Sequence, residues 1–150
     1  MIMPPMISLR RGTVLDVVSE RPGAVEVSVR IPGEAGPAQA VAYPALVGPV
    51  APGDVVLLNT TAMALGLGTG GVHFVVAVEG REGGDPDPAA GRTMKLRYTP
   101  HQLQVMAAEE EGSPHRPRLR EASELDGTPV VWVPLHSMVA PAVEIGRAHV

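Results

Sequence analysis

No cysteine occurs anywhere in the 150-residue chain, which excludes disulfides, thiolate-held zinc, iron–sulfur ligation and a cysteine nucleophile. Aromatic side chains are almost absent too. Phe74, Trp132, Tyr43 and Tyr98 are the full set, so any core must be aliphatic, and the abundance of valine favours strands. Lys95 is the only lysine and Asn59 the only asparagine. Alanine, glycine, proline, arginine and valine dominate instead, and all five have GC-rich codons. A high-GC bacterial genome therefore explains the arginine bias more simply than phosphate recognition does. Long apolar runs are missing: nothing approaches the roughly 18 residues of a membrane span, and Pro4 and Pro5 interrupt the place where a signal peptide would be apolar. No membrane partner is expected, and the cytoplasm is the default setting. A basic field is missing as well. Twelve cationic against sixteen acidic side chains give a formal charge of −4, mixed along the chain, so nothing gathers phosphates and nucleic acid is not an expected partner.

What is present is strand patterning. Met1, Met3 and Met6 are all possible initiators, so fold reasoning begins near Ile7. Residues 12–21 read as a β-branched strand ending at the turn pair Pro22-Gly23. In residues 24–31, Val25, Val27, Val29 and Ile31 alternate with Glu26, Ser28 and Arg30, the period of a half-buried strand. A Gly/Pro loop at 32–37 precedes a third strand at 38–43, and Pro52-Gly53-Asp54 launches the apolar run 55–58. After the glycine-rich stretch 66–71, Val72, Phe74, Val76 and Val78 alternate again, which puts His73 on the polar face. Short strands joined by Gly/Pro turns, with no helical period, predict a small antiparallel barrel or sandwich over residues 7–79, with the barrel preferred.

Residues 80–92 lose the apolar pattern and read as a Gly/Pro/Asp linker that also holds Asp85 and Asp87. Beyond it the pattern changes. Residues 94–98 and 103–108 suit strands, although Leu103, Met106 and Ala107 also fit a helix face. Ser113-Pro114 opens a helix that carries Leu119, Ala122 and Leu125 and stops at Asp126-Gly127. The continuous apolar run 129–135 has the mark of a strand buried on both faces, and Ser137 would cap the next helix. Residues 93–143 are thus expected to begin a parallel-sheet α/β domain. One back-translation of residues 144–150 contains the start of a widely used short-read sequencing adaptor. That tail, His149 included, is set aside as adaptor-derived, and the chain is read as the N-terminal part of a larger bacterial protein.

The stretches Leu9-Arg10-Arg11-Gly12-Thr13-Val14 and Tyr43-Pro44-Ala45-Leu46-Val47-Gly48, with those at 57–61, 66–71, 94–100 and 135–138, resemble an uncharacterised bacterial family, domain of unknown function 3866. The resemblance covers residues 7–143. It implies a longer protein with further glycine-rich α/β segments, and it brings neither an activity nor catalytic residues.

Two places merit attention as sites. Gly66, Gly68 and Gly71 satisfy the spacing of a dinucleotide fingerprint, but a strand follows them where that motif needs a helix N-terminus. With Gly70, Asn59, Thr60 and Thr61 they suit either a loop that admits a ligand or a structural turn. His136 and Ser137 would sit at the carboxyl end of the 129–135 strand, where open α/β sheets bind ligands, with His136 as acid/base and Ser137 as polar anchor. A hydrogen-bonded histidine and a plain helix cap are the ordinary alternatives. His73, His101, His115 and His136 have no metal-ligand spacing, and Glu109 to Glu111 followed by His115, Arg116, Arg118 and Arg120 suits a solvated face better than an anion clamp. No cofactor or metal is expected. The expected function is binding of a small metabolite at the α/β domain with the barrel as accessory. An enzyme centred on His136 and a structural or assembly module are the alternatives.

Overall fold

The computed structural model describes residues 6–67 and 70–147. The chain divides into two compact units, Met1–Pro86 and Asp87–Val150.

The first unit is a closed five-stranded barrel of β1 (Leu9–Arg21), β2 (Ala24–Arg30), β3 (Ala38–Ala42), β4 (Val55–Asn59) and β5 (His73–Val78). Around the ring the order is β1-β2-β3-β5-β4 and back to β1. All contacts are antiparallel except β3 with β5, which is parallel. The expected barrel forms, with that one parallel seam added to the antiparallel pattern, and the ring order is that of an OB-type barrel. Valine alternation builds the core: Val25, Val27 and Val29 of β2 pack with Val14, Ile31, Ala40, Ala42, Val56, Leu58, Val75 and Val78.

Closure depends on β1, which serves two neighbours. Its first half pairs with β4 from Leu9↔Asn59 to Thr13↔Val55, and its second half pairs with β2 from Thr13↔Arg30 to Arg21↔Ala24. Gly12 lies at this changeover. A Cβ there would stand 2.9 Å from Leu58 Cδ1 and 3.3 Å from the Arg30 carbonyl oxygen, so the approach of β1 to the core requires the missing side chain. Two residues before Val56, the partner of Gly12, Asp54 accepts from Arg81 at both carboxylate oxygens (3.0 and 2.8 Å) and from the Ala51 N–H. This ties the chain leaving β5 to the turn that starts β4.

One expectation about β5 is corrected. Its inward residues are His73, Val75 and Val78, while Phe74 and Val76 are half-buried on the outside. The cause is a β-bulge. Leu57 pairs with Ala77 but Leu58 pairs with Val75, which leaves Val76 as an extra residue and reverses the face read from simple alternation.

The second unit departs from the parallel-sheet α/β domain expected for residues 93–143. Its only sheet among the described residues is an antiparallel pair, β6 (Thr93–Lys95) with β7 (Leu103–Val105). Positive φ angles at Leu96 and Tyr98 end β6 before the expected residue 98. The run 129–135 is not a strand: Val130, Val131 and Trp132 are 73%, 72% and 81% exposed. A parallel strand needs neighbours to accept its slanted hydrogen bonds, and here β6 and β7 pair with each other, while Pro129 and Pro134 remove donors from the run itself. The helix expected from Ser113-Pro114 begins at Arg116 and ends at Glu121, short of Leu125, because Ala122 turns extended. A 3-10 turn, His136–Met138, leads into the helix Val139–Arg147. No helix among the described residues is long and apolar enough to cross a membrane.

Glu110 organises this unit. Its carboxylate accepts from the N–H groups of Arg92 (2.6 Å) and Ala107 (3.0 Å), and separately Gln104 Nε2 donates to the Asp87 carbonyl at 2.6 Å. The hydrogen bond from Thr93, then those from the two backbone N–H groups, hold the Glu110 pKa down from 4.5 to about 2. A lowered folded-state pKa means a contribution that is complete above the unfolded value and disappears as pH falls from about 4.5 towards 2. Glu110→Gln is therefore expected to speed amide exchange at Arg92 and Ala107 at neutral pH, and the wild type to show the same loss of protection only on acidification. Unchanged protection in the variant would contradict this role.

Candidate functional site

The polar residues singled out around the β4–β5 connection do come together, with different roles from one another. Thr60 follows the last residue of β4 and continues the inward alternation of Val56 and Leu58; it is 4% exposed. Its N–H donates to the Ser8 carbonyl (2.9 Å), its hydroxyl donates to the same carbonyl (3.3 Å), and Oγ1 lies 2.8 Å from Ser8 Oγ. The Ser8 N–H in turn donates to Thr61 Oγ1 at 2.8 Å. A hydroxyl network thus locks the entry of β1 against the exit of β4. Asn59 stands outside it. It pairs with Phe74 on the outer face, and its Oδ1 accepts from the Thr61 N–H at 3.1 Å, a side-chain turn that starts the short helix Thr61–Ala64.

His73 is the residue that sequence reasoning misplaced. It begins β5, pairs with Ala40 across the parallel seam, and is 6% exposed on the inward side with Val75. Its Nδ1 is buried and has no hydrogen-bond partner among the described residues. Asn59↔Phe74 is the last rung of the β4–β5 ladder, and Thr60 and His73 both lie one residue beyond it, each buried. The position of His73 is held from outside the barrel. Phe74 stacks on Tyr43 with centroids 6.3 Å apart and planes 13° from parallel, a contact that adds about 1 kcal/mol to a seam of two register pairs. A serine before a strand carries no sequence signal, and the bulge conceals the inward histidine. Neither Ser8 nor His73 was legible.

The glycines of the connection are turn formers. Gly66, Gly70 and Gly71 are exposed with φ of +64°, +71° and +79°, and no atom lies within 4 Å of a Cβ built on any of them. Gly68 lies outside the described residues. Two other proposed residues, His136 and Ser137, belong to a 3-10 turn, and the strand-to-helix crevice that motivated them is not formed. Ser137 is exposed. Among the described residues no group of three or more histidine or acidic side chains could hold a metal ion. A cleft of about 510 Å³ between the short helix Pro44–Val47 and the end of β5 includes Arg81, whose guanidinium is already engaged by Asp54.

The chain matches, over residues 39–149, the model of a family described as protein of unknown function, DUF3866. It belongs to that family. The DUF3866 match takes in β3, β4, β5 and the second unit, and with them Thr60 and His73, while β1, β2 and Ser8 precede it. No curated protein and no solved structure matches the chain.

Proposed function

We propose that this DUF3866 barrel binds a small polar molecule at the end where β4 gives way to β5. One observation carries the reading: two buried polar side chains, Thr60 and His73, share the inward side of a wall that is otherwise aliphatic, and Nδ1 of His73 has no hydrogen-bond partner among the described residues. Buried polar atoms in folded proteins are almost always hydrogen-bonded, and a bound molecule would supply the partner that this nitrogen lacks among the described residues. The connection between the fourth and fifth strands is also one of the loops with which OB-type barrels hold their ligands. Oligonucleotides are disfavoured, because residues 1–86 carry five arginines against eight carboxylates and no lysine. The expected metabolite site thus moves from the second unit to the barrel.

A library of polar metabolites screened by thermal shift on the intact chain tests the proposal. At least one compound is expected to raise the melting temperature in a concentration-dependent way. Thr60→Val keeps the shape and removes the hydroxyl, and is expected to weaken that compound by about tenfold. A library without a stabilising compound, or a Thr60→Val variant that binds as tightly as the wild type, would contradict it.

A further inference from the structure

The charged stretch expected to form a solvated face lines a cleft in the second unit. The cleft has a volume of about 400 Å³ and is lined by Glu111, Ser113, Arg116, Pro117, Arg120 and Glu121. Helical spacing puts residues 116, 117, 120 and 121 on one side of the short helix Arg116–Glu121, which therefore brings two guanidinium groups and one carboxylate to the cleft. Glu111 adds a second carboxylate from the preceding loop. That loop is anchored: the Glu110 carboxylate is held by the N–H groups of Arg92 and Ala107, and the Glu110 carbonyl accepts from the Ser113 N–H at 2.9 Å. Ser113 in turn accepts at its carbonyl from the Arg116 N–H and at Oγ from the His115 N–H, both at 3.2 Å. It is 5% exposed, and its hydroxyl hydrogen has no acceptor among the described residues.

A solvated helix gains from opposite charges four residues apart. Here that spacing is taken by Arg116 and Arg120, of like charge, and Arg116 stands at the first helical position, where the dipole disfavours a cation. No nitrogen of either side chain lies within 4.0 Å of a carboxylate oxygen among the described residues. Two cationic and two anionic groups thus share one cleft without neutralising each other. The helix offers these side chains and not its amide groups, since the Arg116 N–H is taken by Ser113 and Pro117 has none. A simple anion in the cleft would meet two carboxylates as well as the arginines, and a simple cation the reverse. A molecule with both charges can set each against its opposite: guanidinium groups bind a carboxylate in a two-pronged way, and the carboxylates accept from an ammonium. Pro117 is the one apolar residue of the lining, so the remainder of the ligand is small or polar. We infer that this cleft is a second binding site, for a small zwitterion of the amino-acid class, with the ligand carboxylate on Arg116 and Arg120 and its ammonium on Glu111 and Glu121. The site shares no residue with the barrel end and does not depend on it.

The test titrates the neutral L-amino acids, one at a time, into the ¹⁵N-labelled intact chain, and then the N-acetyl and carboxamide derivatives of the tightest binder. At least one amino acid is expected to shift the amides of residues 111–121 saturably. Each derivative has lost one of the two charges and should bind at least about tenfold more weakly. The four charged side chains are exposed or half-buried, so their replacement leaves the fold in place. Glu111→Gln/Glu121→Gln should reverse the order of affinities, the N-acetyl derivative now binding more tightly than the amino acid. Arg116→Gln/Arg120→Gln should do the same for the carboxamide. Amides at 111–121 that respond to no amino acid overturn the inference. An N-acetyl derivative that binds the wild type as tightly as the amino acid, or a carboxamide that does, overturns it too, since the cleft would then select an anion or a cation alone; so does an order of affinities that neither double variant changes.

Discussion

Leu58→Ala is expected to destabilise the barrel by about 2–5 kcal/mol, the range for removing a leucine side chain from a filled core. Leu58 is fully buried, and it occupies the point where the β1–β4 ladder, the changeover at Gly12 and the inward residue Val75 converge. Collapse around the deletion is limited, because the neighbours are short valines and alanines on strands fixed by hydrogen bonds on both sides. For a unit of this size each kcal/mol lowers the melting temperature by about 4–8 °C, so a drop of at least about 8 °C is expected. The change should be followed by hydrogen exchange of β2 amides, since Trp132 reports on the second unit. A loss below about 1 kcal/mol would mean that Leu58 does not fill the closing seam.

Gly12→Val has the opposite cause and a comparable effect. The added Cβ meets the tip of Leu58 at 2.9 Å and backbone at Arg30 at 3.3 Å, and the two methyl groups of valine extend further into filled space. Overpacking of this kind costs about 1–3 kcal/mol, and the backbone contact places the expected loss in the upper half of that range. Because one of the colliding atoms is Leu58 Cδ1, the two changes are coupled. The Gly12→Val/Leu58→Ala pair should lose less than the sum of the singles by at least about 0.5 kcal/mol, as the valine occupies part of the space the leucine vacates. Strict additivity in denaturant titrations would contradict the contact between residue 12 and residue 58 and, with it, the closing geometry of β1.

The parts of the fold that sequence reasoning could reach were those governed by local chemistry. β2 was legible because Val25, Val27 and Val29 alternate with Glu26, Ser28 and Arg30 without interruption, and the pairing is in register throughout β2–β3. β5 was legible as a strand but not in its facing. One inserted residue at Val76 inverts the alternation on its N-terminal side, and the bulge is set by the pairing with β4, which no single segment reveals. The run at 129–135 failed for a related reason. Continuous apolar composition describes what a buried strand contains, yet burial comes from neighbours, and Val130, Val131 and Trp132 stay exposed among the described residues. At the site, Thr60 was reachable because a polar cluster beside glycines is visible in sequence, although its locked partner Ser8, 52 positions away, was not. His73 was assigned to solvent by the same alternation that the bulge overturns.

That inward histidine, one residue beyond the last rung of the β4–β5 ladder as Thr60 is, moves the functional reading from the second unit to the barrel. An amide ¹H–¹⁵N map of the intact chain, recorded while a stabilising polar metabolite is titrated, tests this directly. The expected result is a set of saturable shifts centred on Ser8, Asn59, Thr60, Thr61 and His73, with residues 129–138 unmoved. Shifts centred on residues 129–138, with the barrel end unmoved, would contradict it.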